Sequence, residues 1–474
     1  MPEGTLSRRR LLKSAGAAGI AGFAGCAGGG GEATETPTAT PETTEKATET
    51  QTATATATPE EQTLKIGVLQ PLSGDLQYYG KQSLWGFYSG LAYKGDTDPI
   101  GEASTGKKQV TVGNIDVELY VRDTQFSASK AQTLATNLVQ NHEVDMLFGT
   151  SSSGSATRVI NTVVKPAQVP FMVGPAASAS ITASSETCSN WVFRASENTA
   201  MDARSGGKYV AQETDVNSVY LFGADYSFGR AVVNNYERVL KNEGVEIVGK
   251  KFVKRGYSEW AGLLDNAASA GAEGIVGGFT VATLPQLFTA FLSGGYDFRV
   301  FGGFATEITN TIVGQTLQKV LGKPLTREKI ANAKLGPFTT RYHWNQYDNP
   351  INDAFTEMYS NTYDRVPDLF TSGTFTAASA IIQAVEGDST KGADIAEGLK
   401  GMTVTDTPKG ENGYTFQPYN NQARSSMTVA KVIPTTQQYS DLWGAAVMPS
   451  EPVATIPGSA ATIPKDSTQM DCSL

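Results

Sequence analysis

From Leu64 onward the apolar positions follow two alternating periods. Leu64–Leu69 is a short apolar run closed by Pro71 and Ser73-Gly74, which predicts a strand, whereas Tyr79–Tyr93 carries its apolar residues at helical spacing. The same alternation predicts strands over Val117–Val121, Val144–Phe148 and Pro170–Val173, with helices over Ser127–Gln140 and Ser155–Lys165 between them. A second series starts near Asn198. It predicts strands at Ser218–Phe222, Glu246–Val253, Gly274–Gly278 and Arg299–Phe301, and helices at Phe228–Asn242, Ser258–Ala270 and Leu284–Ser293. Strand and helix repeated at this spacing imply parallel sheets covered by helices on both faces, and two series imply an α/β protein of two doubly wound lobes.

The pattern loosens after Pro337, which has a strand-like start running into Asn349-Pro350. Helices are expected at Asp353–Tyr363 and Phe370–Val385, then strands at Tyr414–Phe416, after the Asn412-Gly413 turn, and at Met427–Val432. Beyond Val432 the chain is rich in Pro, Thr and Ser and is expected to wrap the surface.

Ahead of Leu64 the texture differs. Ser7-Arg8-Arg9-Arg10-Leu11-Leu12-Lys13, a Gly/Ala-rich apolar stretch and Phe23-Ala24-Gly25-Cys26 look like a twin-arginine export signal over residues 1–25, closed by a lipobox. This reading has the chain cut before Cys26 and lipid carried on that thiol. Residues 26–63 are dominated by Thr with Ala, Glu and Pro and have almost no apolar bulk to offset ordering entropy, so they read as a solvated tether with a reach of roughly 30 Å. Lipidation of Cys26 leaves Cys188 and Cys472, and an extracellular location permits either a bridge between them or two free thiols.

A formal charge of −9, on a chain whose leader is itself basic, argues against nucleic acid as a partner of the body. Three Cys and two His leave little material for a metal site or for imidazole catalysis, and the sequence contains no Gly-x-Ser-x-Gly, His-Glu-x-x-His or Cys-x-x-Cys. No cofactor is expected. An exported hydrolase working through paired carboxylates stays open as an alternative, as does a sensor module presenting its ligand to a membrane receptor.

Ligands of open α/β sheets sit outside the carboxyl ends of strands. Two hydroxyl-rich loops occupy such positions here: Gly149-Thr150-Ser151-Ser152-Ser153-Gly154-Ser155 and Gly174-Pro175-Ala176-Ala177-Ser178-Ala179-Ser180. Each could be only a helix cap, but after neighbouring strands they suggest a pocket for a carboxylate-bearing small molecule.

Pro71-Leu72-Ser73-Gly74, Tyr79-Gly80, Arg122-Asp123, the two loops above, Trp191-Val192-Phe193-Arg194, Asp225-Tyr226-Ser227-Phe228-Gly229 and Gly277-Gly278-Phe279, in this order and spacing, resemble the type I periplasmic binding proteins. The branch they are most similar to is the leucine/isoleucine/valine-binding proteins of ABC importers, here in the form of a haloarchaeal-like lipoprotein. The resemblance implies two lobes joined by a three-segment hinge and closing over one solute. It implies lobe 1 over residues 64–196 and 341–412, lobe 2 over 197–340 and 413–433, and a wrapping tail over 434–474. It also implies an ABC permease in the membrane as partner. By the same resemblance Ser153 holds the ligand carboxylate, Ala176 and Ser178 contribute a carbonyl and a hydroxyl, and Tyr79, Phe228 and Phe279 form aromatic walls. The acidic residue that meets an α-ammonium in the family aligns with Phe304. Either Glu307 takes that role through a shifted loop, or the ligand is not a zwitterionic amino acid.

Overall fold

The computed structural model of the chain describes residues 62–303, 306–386 and 389–474. The export leader, Cys26, the tether up to residue 61 and Phe304 lie outside the described residues.

The chain starts with β1 (Gln62–Gln70), α1 (Gln77–Gly95), β2 (Gly106–Val112), β3 (Ile115–Asp123), α2 (Ala128–Asn141), β4 (Met146–Gly149), α3 (Ser153–Val159), β5 (Phe171–Val173) and β6 (Val192–Phe193). These strands make one sheet in the order β2-β3-β1-β4-β5-β6, parallel except for β2 on the edge. The chain then builds β7 (Ser218–Ala224), α4 (Ser227–Asn242), β8 (Glu246–Val253), α5 (Trp260–Ser269), β9 (Gly274–Gly278), α6 (Leu284–Gly294), β10 (Arg299–Gly303), α7 (Glu307–Leu321) and β11 (Leu335–Thr340). It returns to the first sheet with α8 (Pro350–Tyr363), α9 (Thr371–Val385) and a small antiparallel sheet of β12 (Thr403–Val404), β13 (Tyr414–Phe416) and β14 (Ala423–Arg424). Finally β15 (Met427–Pro434) and β16 (Val447–Ile456) complete the second sheet, ordered β16-β15-β11-β10-β9-β7-β8.

Each sheet has a core on both faces, as expected of doubly wound units. On one face of the first sheet, Leu84, Phe87 and Leu91 of α1 meet Ile381 and Ile382 of α9; on the other, Ala135 and Leu138 of α2 meet Val159. Helices α1 and α9 approach closely because Gly86 and Gly90 carry no side chain: a Cβ at Gly90 would stand 2.4 Å from the Phe375 carbonyl.

Two expectations are corrected. Tyr414–Phe416, expected in the second lobe, packs with the first: Tyr414, Phe416 and Ala423 are buried in its core, and Phe416 meets Phe193 edge to face at 6.0 Å. The tail is not all surface wrap, because Val447–Ile456 forms an antiparallel edge strand on β15. Its prolines, which read as loop, sit opposite Val432 and Ala430, where the register shifts; an edge strand with bulges tolerates residues that lack an N–H. The chain after β16 runs back to the first lobe, where Cys472 forms a disulfide with Cys188 across a Cα separation of 5.9 Å, so the alternative of two free thiols does not apply.

Candidate functional site

The carboxyl ends of β4, β5, β7, β9 and β10 face one cavity of about 110 Å³. Both sheets contribute: Tyr79, Ser151, Ser152, Ser153, Pro175, Ala177, Leu369 and Phe370 from the first, Tyr226, Phe228, Gly277, Phe279, Thr280 and Thr306 from the second. The rim is shut. The Tyr79 hydroxyl accepts from the Val281 N–H at 3.3 Å, and Arg255 reaches Asp75 at 3.1 Å while lying over the Phe126 ring.

Three helices begin at this cavity. Ser152 caps α3, its Oγ accepting from the Ser155 N–H at 3.3 Å, and Thr306 caps α7 by accepting from the Thr309 N–H at 3.3 Å. Helix α4 starts after Tyr226 with no side-chain cap, and a Cβ on Gly154 of α3 would stand 3.7 Å from the Ser227 Oγ of α4. The amino ends of α3 and α4 thus meet at the cavity from the two lobes, an arrangement that favours an anion, whereas the first N–H of α7 is taken by the Asp368 carboxylate. Ser151 donates to the Gln70 Oε1 at 2.7 Å, and Gln70 in turn donates to Ser83 and to the Gly174 carbonyl, so one buried amide fixes both hydroxyl-rich loops. The Ser153 Oγ accepts from the Ser178 N–H at 3.1 Å, which leaves its own proton to donate.

Among the described residues, the charged ones in the lining are Asp202 and Arg341. Arg341 meets both carboxylate oxygens of Asp202, at 3.0 and 2.6 Å, and donates to the Glu197 carbonyl at 3.3 Å. Burial would lower the guanidinium pKa, but Asp202 outweighs it and holds the charge.

Of the residues singled out in the sequence, Tyr79, Ser153, Phe228 and Phe279 come together in the lining. Ala176 and Ser178 do not. Their carbonyls turn to the fully buried Arg194, which donates to them at 3.1 and 2.6 Å, and the Ser178 hydroxyl pairs with Ser180 at 2.8 Å. Glu307 also stands outside the lining: its N–H donates to the Asp368 carboxylate at 3.2 Å, and burial pushes its own carboxyl up to about 7. Sequence reasoning missed Asp202, Arg341, Tyr226, Tyr236, Thr306, Thr309 and Phe370. Tyr226 stood inside the quoted Asp-Tyr-Ser-Phe-Gly segment and could have been found there, whereas no periodicity marks Asp202 or Arg341.

Residues 63–437 match a family described as periplasmic binding protein. Among curated proteins, the Leu/Ile/Val-binding protein homolog 7 of Brucella suis is 24% identical over 386 residues, 78% of this chain and 89% of that protein. Among solved structures, an ABC-type branched-chain amino acid transporter protein from Rhodopseudomonas palustris superposes with a TM-score of 0.64 at 22% identity, covering 85% of this chain and 98% of that one. A solute-binding protein from R. palustris, solved with 4-hydroxybenzoate, superposes with a TM-score of 0.64 at 19% identity, over 84% and 97% of the two chains. At these identities the likeness is one of fold.

Proposed function

As the chain belongs to the periplasmic binding protein family, whose two-lobed fold it has, we propose that it is the extracellular solute-binding lipoprotein of an ABC importer, and not an enzyme. It captures a small carboxylate-bearing solute between its lobes and hands it to a permease. The observation that carries this reading is the convergence of the α3 and α4 amino ends and the Ser152 and Ser153 hydroxyls on a cavity whose described carboxylate, Asp202, is already paired with Arg341. An anion entering there finds donors already oriented and displaces no counter-ion. The names of the relatives agree with import of small carboxylates: Leu/Ile/Val in one, 4-hydroxybenzoate in another. Export by the twin-arginine route, lipid on Cys26 and the Thr-rich tether would hold the body close to the permease.

The test is to identify the solute by mass spectrometry after denaturing the purified protein and to titrate it back by calorimetry. A hydrogen bond to a charged group contributes about 1.5–3 kcal/mol, so Ser153→Ala should weaken binding roughly tenfold or more. Affinity unchanged in Ser153→Ala would refute the carboxylate placement.

A further inference from the structure

The lining has a charge balance that discriminates between classes of carboxylate. An α-amino acid brings an ammonium group into the cavity, and a buried ammonium needs a counter-charge or costs several kcal/mol. Among the described residues the lining holds one carboxylate, Asp202, and Arg341 occupies both of its oxygens. The amino ends of α3 and α4 add positive potential, which repels a second cation. Position 304 is Phe in the sequence. Glu307 supplies no counter-charge either, because it stands outside the lining with Asp368 and Arg365 as its charged neighbours, and burial pushes its carboxyl up to about 7. The lining phenols of Tyr79, Tyr226 and Tyr236 are shifted up by burial and stay neutral.

The walls set the shape. Tyr79 and Phe370 of the first lobe stand edge to face at 5.1 Å, and Tyr226, Phe228, Tyr236 and Phe279 face the cavity from the second. Phe279 is itself held edge to face by Trp260 at 5.2 Å. Rings presented from both lobes suit a flat π-system through stacked and edge-to-face contacts, which add about 0.5–1.5 kcal/mol per pair beyond the area buried.

We propose that the solute is an aromatic monocarboxylate without an α-ammonium group, a benzoate-class ring acid. The inference rests on the carboxylate reading above and narrows it. Its test is calorimetry of the whole purified protein with benzoate, 4-hydroxybenzoate and benzamide, and with two pairs that differ only in the ammonium: 3-phenylpropanoate against L-phenylalanine, and 4-methylpentanoate against L-leucine. The ring acids are expected to bind, and each amino acid to bind at least about tenfold more weakly than its des-amino partner. Either amino acid binding more tightly than its partner, or 4-methylpentanoate binding more tightly than every ring acid, overturns this inference and leaves the carboxylate reading standing. Benzamide binding as well as benzoate, or no binding by any of these compounds, overturns both.

Discussion

Replacing Cys188 and Cys472 together by Ser should destabilise the body by an amount that the topology sets. The bridge joins residues 284 apart in sequence, so it removes a large closed loop from the unfolded ensemble. The chain-entropy relation gives about 5–6 kcal/mol for a loop of this size, and measured bridges more often give ~2–4. The non-covalent strap around the bridge is modest: the Asp471 N–H donates to the Ala183 carbonyl at 2.9 Å, Ser185 to the Asp471 carboxylate at 2.5 Å, and Tyr419 to the Ile463 carbonyl at 2.9 Å. These bonds persist in the double variant, so the loss comes mainly from the unfolded side. Urea unfolding followed by circular dichroism reads it. With an m-value of about 3 kcal/mol/M, a loss of ~3 kcal/mol lowers the midpoint by about 1 M. The strap touches the first lobe at Ala183 and Tyr419 and the second at Asn235, through Gln469, but reaches none of the cavity lining, so affinity for the solute should change less than twofold. A midpoint within about 0.2 M of the native protein's would refute the entropic account.

Two further outcomes are expected. Burial raises the Glu307 carboxyl from 4.5 to about 7 and the Asp368 carboxyl from 3.8 to about 6, so the stability they contribute is complete below pH 4 and is lost as pH rises through 6 and 7. Glu307→Gln should therefore match the native protein near pH 4 and exceed it at pH 8 by about 1–2 kcal/mol, a figure discounted for the partial exposure of the site; parallel melting-temperature profiles from pH 4 to 8 would count against it. Cys26→Ser should move the protein from the membrane fraction to the medium, and retention on membranes would sink the lipid anchor.

The alternation of strand and helix up to Phe301 was legible because parallel strands buried on both faces are continuous apolar runs. Three elements were less so. β2 exposes every second residue on a sheet edge, and Lys107, Lys108 and Gln109 leave it without an apolar run. Pro449 and Pro452 hid β16, since nothing local says that their missing donors fall at bulges. Tyr414–Phe416 was recognised as a strand but placed in the wrong lobe, because a local pattern carries no information about which core it fills. The site divides in the same way. Tyr79, Ser153, Phe228 and Phe279 follow strands or begin helices and could be found by position along the chain. Ala176 and Ser178 could not be excluded, because Arg194 claims their carbonyls from the end of the next strand along the chain, an event of packing.

Asp202 and Arg341, the pair that neutralises the cavity, belong to a larger buried network at the crossing segments. Arg341 donates to the Glu197 carbonyl, and the Glu197 carboxylate accepts from Lys409 at 2.7 Å, from Tyr414 at 2.6 Å and from Ser425 at 3.0 Å. Burial would raise the Glu197 pKa, yet Lys409 outweighs it and keeps the carboxylate ionised. Glu197, Arg341 and Ser425 lie on the three separate segments where the chain passes between the sheets. The Glu197 and Lys409 side chains are 2% and 0% exposed, so parting them would strand buried charges at a cost of several kcal/mol. Hinge bending that leaves both cores intact must then carry these pairs as fixed units and flex the chain on either side of them. Asp202 and Arg341 on the cavity lining are therefore tied through Glu197 to buried charges on the crossing segments, and not to the core of either sheet alone.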